Sequence, residues 1–404
     1  MNRFPAFAAA FLLCLAAIGG VAVSGAADGA EQTDGGVDRS MTVRPVENSS
    51  GYLSPRPESI DRSESETAGI DVSGAIEAEA GELRSVYALE TLQRQYENAE
   101  TDAERTAVLE DGIERLSTRV DALEANERTA IREFNGGQRG ADGLLRTLAT
   151  THREAEATDE ALVWLEERAD DVGADGIAER AATERVRLVP MSGPTRAELS
   201  GAIGGASSSR FHVETTGDGI AVATVDPASG RYLRAAHDPT AKRADVTDQY
   251  GGNPSPALDR FSELYPWAIR SFGAIDAIGP AQVRLYQLRA EHPHGQLGTF
   301  LDSGSRNVLY EQQRLDPGAM PTTTVTRRGE GLRLVVETTR AGGPLGVELL
   351  DPATGERVDG TVALDGETIG TTGADRLWTV APRGPTEINA THEGGSVTLE
   401  TRFD

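Results

Sequence analysis

Six histidines are the chain's most versatile chemical groups, at positions 152, 212, 237, 292, 294 and 392. Only Glu291-His292-Pro293-His294 has a spacing suited to a metal, because two imidazoles two residues apart in an extended segment point to one side. His292 and His294 are thus the metal candidates, but no third ligand is identifiable, and Pro293 with Gly295 makes the segment a good polar turn. Nucleophilic serine chemistry calls for an elbow such as G-x-S-x-G, which is absent; Ser207, Ser208 and Ser209 after Gly204-Gly205 read as a linker. Neither the Walker pattern nor G-x-G-x-x-G occurs, so no phosphate cradle or nucleotide cofactor is expected. Asp171 to Gly176 has the outline of a calcium loop, yet it lacks a middle ligand and a bidentate glutamate and reads as a helix-end loop. Phe261, Tyr265, Trp267 and Phe272 form the densest aromatic cluster, with Pro266 breaking the helix between them. In a chain with 5% aromatics they are expected to make a domain core; a sugar- or peptide-binding platform is the alternative. With 64 acidic residues, paired carboxylates arise by coincidence, and no catalytic residue stands out.

The segment before these groups sets their compartment. Asn2 and Arg3 precede an apolar run from Phe4 to Val23, followed by Ser24, Gly25 and Ala26, the order of an export signal with a small-residue cleavage site. About 20 apolar residues also reach the length of a bilayer span, so residues 1–26 are either a cleaved signal or an uncleaved anchor. The expected location is extracellular or the outer face of the cell membrane. Cys14 lies inside the apolar run and is the sole cysteine, which leaves a mature chain without disulfides or thiol chemistry. Any membrane contact is expected only through residues 4–23.

Acidic residues outnumber basic ones 64 to 39, for a net charge of −25, and Lys242 is the one lysine. The acids are dispersed and form no long tail block, a pattern like that of proteins that stay hydrated in concentrated salt. Such a field repels phosphate, so nucleic acid is not an expected partner. In molar salt the Debye length falls to about 3 Å and steering fades.

The expected fold class is multidomain α+β. Residues 27–73 carry few large apolar groups and read as an extended or disordered leader, which Tyr52 and Leu53 could tack to the body; the leader holds the glycosylation sequon Asn48-Ser49-Ser50. Residues 74–189 turn helical. Thr101-Asp102-Ala103-Glu104 has capping-box spacing, and Leu109, Ile113, Leu116, Val120, Leu123, Ala130 and Phe134 follow a heptad seam. After Asn135-Gly136-Gly137 and Gly140 a second stripe runs from Leu144 through Leu162 to Ala169. The adjacent stripes predict an antiparallel hairpin or coiled coil, closed into a three-helix bundle by a segment from Ile76 to Tyr96; pairing between chains is the alternative.

Residues 190–318 contain a weak repeat. Thr224-Val225-Asp226-Pro227-Ala228-Ser229-Gly230, then Tyr232-Leu233 and Asp238-Pro239, parallels Thr299-Phe300-Leu301-Asp302-Ser303-Gly304, then Val308-Leu309 and Asp316-Pro317. Each copy has an earlier alternating run, Phe211 to Glu214 and Val283 to Arg289, and a helix-like stretch, Thr195 to Ile203 and Ala257 to Phe272. One helix followed by three antiparallel strands, used twice, is the inferred unit. Residues 319–404 show seven short strand-like runs between turn clusters, which indicates an immunoglobulin-like β-sandwich; Asn389-Ala390-Thr391 is a second sequon.

The repeated unit resembles the helix-on-sheet domains of the PepSY type found in exported proteins and peptidase propeptides. The stretch from Asp351 through Val358, Gly366 to Thr372, and Trp378 to Pro382 resembles the prealbumin-like and Ig-like modules of archaeal surface proteins. The modular order as a whole is similar to a group of uncharacterised exported haloarchaeal proteins. These resemblances imply a non-enzymatic surface or secreted interaction protein with envelope or secreted proteins as partners. A PepSY-like regulator or inhibitor of an exported peptidase is the alternative, and a hydrolase with an unrecognised site is the second alternative.

Overall fold

The computed structural model describes residues 41–44, 52–243, 246–270, 275–278 and 285–404. The export segment, Cys14, Asn48 and Phe272 lie outside them. From Met41 onward the leader expected over 27–73 needs correction. β1 (Met41–Arg44) pairs antiparallel with β2 (Tyr52–Pro55), and both Tyr52 and Leu53 are buried, so this part is bound to the body. β3 (Arg62–Ala68) is no spacer either: it pairs along its length with residues 209–215 as an edge strand. Its sequence, Arg-Ser-Glu-Ser-Glu-Thr-Ala, is poor in apolar groups because an edge strand needs only one neighbour, and charges on a free edge deter further pairing.

α1 (Val72–Asn98) starts at Asp71, whose carboxylate accepts the Ser73 and Gly74 amides. α2 (Asp102–Asn135) carries the capping box: Thr101 Oγ1 accepts the Glu104 N–H at 3.2 Å, and the Glu104 carboxylate accepts the Thr101 N–H at 3.2 Å. A turn through Gly137, at φ +74°, leads to α3 (Ala141–Asp171). Asp171 to Gly176 is a helix-end turn, with Gly173 at φ +68°, and opens α4 (Asp175–Leu188). Leu109, Ile113, Val120 and Leu123 of the first seam pack on Leu162, Leu165 and Ala169 of the second, with Leu92 of α1 and Ile177 of α4 completing the core. The seam therefore closes within one chain. Burial of each such leucine contributes about 1.5–3 kcal/mol.

α5 (Pro194–Ile203) leads into β4 (Ser209–Thr216), β5 (Gly219–Val225) and β6 (Tyr232–His237). α6 (Pro254–Leu264) and α7 (Pro266–Arg270) precede β7 (Ile275–Ile278), β8 (Leu285–His292), β9 (Gly295–Asp302) and β10 (Val308–Leu315). All join one eight-stranded antiparallel sheet in the order β3-β4-β5-β6-β10-β9-β8-β7. The halves meet where β6 pairs β10, Tyr232 opposite Leu315 and His237 opposite Tyr310. The sequence repeat thus appears as a local dyad, with two corrections. Each half has four strands, since β3 and β7 add the edges. The helices also break the symmetry. Phe211, Val213, Ile220 and Val222 face α2, α3 and α5, whereas Tyr286, Leu288, Ala290 and Leu297 face α6 and α7 on the other side. The register fixes this: Val222 pairs Ala235 and then Gln312, while Ala221 pairs Ala236 and then Glu311. β5 is buried on both faces and needs cover on both.

The C-terminal sandwich consists of β11 (Thr323–Gly329), β12 (Leu332–Thr338), β13 (Pro344–Leu350), β14 (Gly360–Leu364), β15 (Glu367–Thr372), β16 (Leu377–Val380), β17 (Gly384–His392) and β18 (Gly395–Phe403). Its two four-stranded sheets run β11-β12-β13-β16 and β15-β14-β17-β18 around Leu334, Val336, Leu345, Val347, Val362 and Ile388. β15 is an eighth strand beyond the seven expected. It offers only Ile369 as a large apolar group and has Gly370 at φ +150°, beside a register shift in β14. Asn389 lies within β17, its amide donating to Thr398 Oγ1 at 2.9 Å across the strand pair.

Candidate functional site

The groups that sequence spacing singled out stay together in the structure, each with partners of its own. His292 ends β8 and His294 sits in the following turn, their rings 5.8 Å apart. His292 Nδ1 accepts the His294 amide at 3.2 Å, and His294 Nδ1 lies 2.5 Å from the Ala319 carbonyl. Burial lowers the His292 pKa to about 4, and its ring stands edge-on to Trp267 at 4.5 Å. Among the described residues no group of three His, Cys, Asp or Glu side chains could hold a metal ion, so the pair lacks company for coordination. Ser207 and Ser209 do have a partner: both hydroxyls donate to Glu198 Oε1, at 2.8 and 2.5 Å, which pins the linker between α5 and β4. Phe261 and Tyr265 are fully buried with ring centroids 5.0 Å apart, so these two belong to the core and form no exposed platform.

Three constellations that sequence reading missed are assembled by the sheet. On the face away from α5, His212 of β4 is buried between Ser65 of β3 and Glu214, with Ser65 Oγ 2.9 Å from Nδ1 and Glu214 Oε1 3.3 Å from Nε2. Ser63 Oγ lies 3.3 Å from Nε2. The residue types match a Ser-His-Glu relay. Their surroundings do not leave the relay free: Arg383 of the sandwich donates to Glu214 Oε1 at 2.8 Å, and Gly342 packs so tightly that a Cβ there would stand 2.8 Å from His212 Cδ2. Burial pushes the Glu214 carboxyl up, but His212 and Arg383 together outweigh it and hold it at about 2. The arrangement clamps the sandwich to the sheet.

Beside it, Glu311 of β10 is a hub. Its carboxylate accepts Arg234 Nη1 at 3.1 Å, Gln313 Nε2 at 2.9 Å, the Leu53 amide at 2.6 Å and the Tyr265 hydroxyl at 2.7 Å. Arg234 Nη2 donates to the Leu53 carbonyl at 2.6 Å, and its guanidinium lies 5.0 Å from the Tyr52 ring, which Arg340 of the sandwich also covers. Tyr232 completes the seam by donating to the Gly342 carbonyl at 2.7 Å. One polar layer therefore ties the β1–β2 hairpin, the sheet and the sandwich.

The third constellation lines a cavity of about 420 Å³ on the opposite face, between α2, α4, the 3-10 turn Val189–Met191 and the sheet. Glu127, Arg128, Arg187, His237 and Lys242 supply its polar wall, and Val186, Leu285 and Leu309 its apolar wall. Arg187 is engaged by Asp121, Glu124 and Glu184 at 2.6–2.7 Å. Burial, helped by the charges of Arg196 and Lys242, lowers the His237 pKa to about 3 and keeps the ring neutral. Glu127 accepts Arg196 Nη2 at 2.6 Å with both side chains nearly closed to solvent, at 6% and 2% exposure. Glu127 Oε2 and Arg196 Nη1 have no protein partner. A neutral imidazole, a charge-neutralised wall and apolar sides suit recognition of a small polar group, not proton transfer at neutral pH. Replacing Glu127 with Ala is expected to cost about 3–5 kcal/mol in a urea titration, since Arg196 is left charged and buried, while Glu127→Leu with Arg196→Met recovers most of it. Equal losses in both variants would contradict a pair-based account.

Residues 1–208 match the model of a domain of unknown function (DUF7096), residues 211–321 match a family of unknown function (DUF7094), and residues 323–399 match an archaeal fibronectin-III type-like domain. Comparison with curated proteins and with solved structures returns no match. The archaeal domain coincides with the sandwich, a structural or interaction module. The first two matches share one sheet, since β3 belongs to the first and β4–β10 to the second, apart from the first residues of β4. Among the described residues no helix is long and apolar enough to cross a membrane. Because its first model spans just over half of the 404 residues, the chain belongs to the DUF7096 family.

Proposed function

We propose that the protein is a non-enzymatic, exported interaction protein of the archaeal cell surface, which presents its fibronectin-III-like sandwich and helical bundle to envelope or secreted proteins. The observation that carries this reading is the fixed seating of the sandwich: Arg383 on Glu214, Tyr232 on Gly342, and Arg340 over Tyr52. A recognition module held by several buried contacts is displayed in one orientation, which suits a scaffold. Export is supported by the Phe4–Val23 segment, and surface life in concentrated salt by the −25 charge and the single lysine. Cross-linking intact salt-grown cells with a membrane-impermeant reagent should capture the protein together with envelope or secreted proteins. Cross-links that form only after lysis would overturn the reading.

A second reading, regulation of an exported peptidase, is favoured by the doubled four-stranded half-sheet. It predicts that the purified protein inhibits proteolysis in the culture medium, and unchanged proteolysis at saturating protein removes it.

A further inference from the structure

α1 has two faces of opposite character. Gly74, Ala78, Gly81 and Leu92 are buried toward α3 and α2, and Gly81 lets the helix approach Glu154 too closely for a side chain. On the outer face Val72, Ile76, Leu83 and Tyr87 are 64%, 61%, 68% and 68% exposed, flanked by Val86 at 41% and Ile70 at 74%. At about 100° per residue, spacings of four, seven and four place the central four side chains within about 60° of one another, opposite the buried line. Glu79, between Ile76 and Leu83 at the edge of the strip, is its one charged interruption, and an exposed apolar strip of this kind is a surface built to be covered.

The strip is complementary to itself. Read antiparallel about a dyad between Glu79 and Ala80, Val72 falls opposite Tyr87, a small side chain meeting a large one, and Ile76 falls opposite Leu83, two aliphatic side chains of equal size. The same register brings Glu77 toward Arg84 of the second copy on one flank, an opposite-charge pair formed twice. On the other flank Glu79 meets Glu79 of the second copy. Glu77, Glu79, Glu82 and Glu90 against Arg84 and Arg94 make the borders acidic, the wrong sign for an anionic lipid surface.

We infer that α1 pairs antiparallel with α1 of a second copy of this chain through this strip. The seam that sequence reading offered for pairing between chains, on α2, is spent inside the bundle; the outer face of α1 takes that role. Four helical turns bury less than the ~1,200 Å² of a standard interface, so the dimer is weak. Apolar contact between two chains that each carry a net charge of −25 gives a salt response in which association tightens as salt rises, since screening removes the long-range repulsion.

Sedimentation equilibrium of the mature protein over a micromolar-to-millimolar range, at low and molar salt, tests this. The expected result is a monomer–dimer equilibrium that strengthens in molar salt and is lost in Leu83→Asp, whose exposed site leaves the circular dichroism spectrum unchanged. Glu79→Gln should tighten it about threefold at low salt. Glu77→Arg should weaken it, and Glu77→Arg with Arg84→Glu should restore it. A monomer at millimolar concentration would overturn the inference, as would a dimer indifferent to Leu83→Asp. Vesicle binding that Leu83→Asp abolishes while the soluble protein stays monomeric would also overturn it.

Discussion

Arg234→Ala is expected to lower the unfolding free energy by about 3–5 kcal/mol, the largest loss from any single side-chain truncation in the polar layer. Arg234 is nearly inaccessible and Glu311 fully so. Burial already holds the Glu311 carboxyl above the usual range, with Arg234 the strongest influence against that rise. Without the guanidinium the carboxyl must take up a proton or remain an unpaired charge in the core. Two further contacts go with it: the Nη2 bond to the Leu53 carbonyl and the packing on Tyr52. The β1–β2 hairpin, held to the sheet by Leu53, should therefore loosen first, and amide exchange at Leu53 should speed up before the core strands respond. Glu311→Gln keeps acceptor and shape and should cost less. Denaturant titration with hydrogen exchange reads both effects; a loss under 1 kcal/mol with Leu53 still protected would show that the hub is ornamental.

Stability is expected to fall in two steps as the solution is acidified. His152, buried in α3 with Nδ1 3.0 Å from the Met191 carbonyl, has its pKa lowered to about 4 by burial, helped by the nearby Arg196 and Arg153 charges. The Glu156 carboxylate 3.5 Å from Nε2 is exposed and offsets little. The folded state thus binds fewer protons than the unfolded chain below pH 6.5, so the contribution is intact above 6.5 and lost progressively down to about pH 4, amounting to about 3 kcal/mol. Glu214 acts in the next window. Its folded pKa of about 2 lies below the ordinary glutamate value of 4.5, so its contribution is present above 4.5 and is lost as pH falls toward 2, again about 3 kcal/mol. Glu311 runs the other way, since a raised carboxyl favours the folded state most at low pH. His237 and His292, also lowered by burial, act in the same upper window, so His152→Gln should make that step shallower without abolishing it, and Arg383→Leu should flatten the lower one, in urea titrations at half-unit pH intervals. A profile that is flat from pH 6.5 to 4 would contradict the burial of His152.

What could be read from the amino-acid order, and what could not, follows from the range of each interaction. The helical hairpin was legible because Leu109 to Phe134 repeats one spacing over many turns, and because Thr101 and Glu104 sit three residues apart. The duplicated strands were legible from their turns, where Asp226 and Asp302 recur at equivalent points. β3 was not, because its partner supplies the apolar contacts and its own residues are charged. The faces chosen by α5 and α6 were also hidden: β5 is apolar on both sides and does not say which helix covers which. The polar constellations were the least legible. Arg234 and Glu311 lie 77 residues apart and Ser65 and His212 lie 147 apart, so only the folded sheet juxtaposes them. A signal existed for Arg234, a charged residue between Leu233 and Ala235 in a largely apolar strand, but not for Glu311, which Gln312, Gln313 and Arg314 follow in a half-polar strand.

The reading of this chain as an exported surface protein is tested most directly by fractionating salt-grown cells and sequencing the N-terminus of the recovered protein. The account predicts recovery from the envelope or the medium, either starting near Ala27 or retaining residues 1–26 in the membrane fraction. Recovery from the cytosol with an intact N-terminus would contradict it.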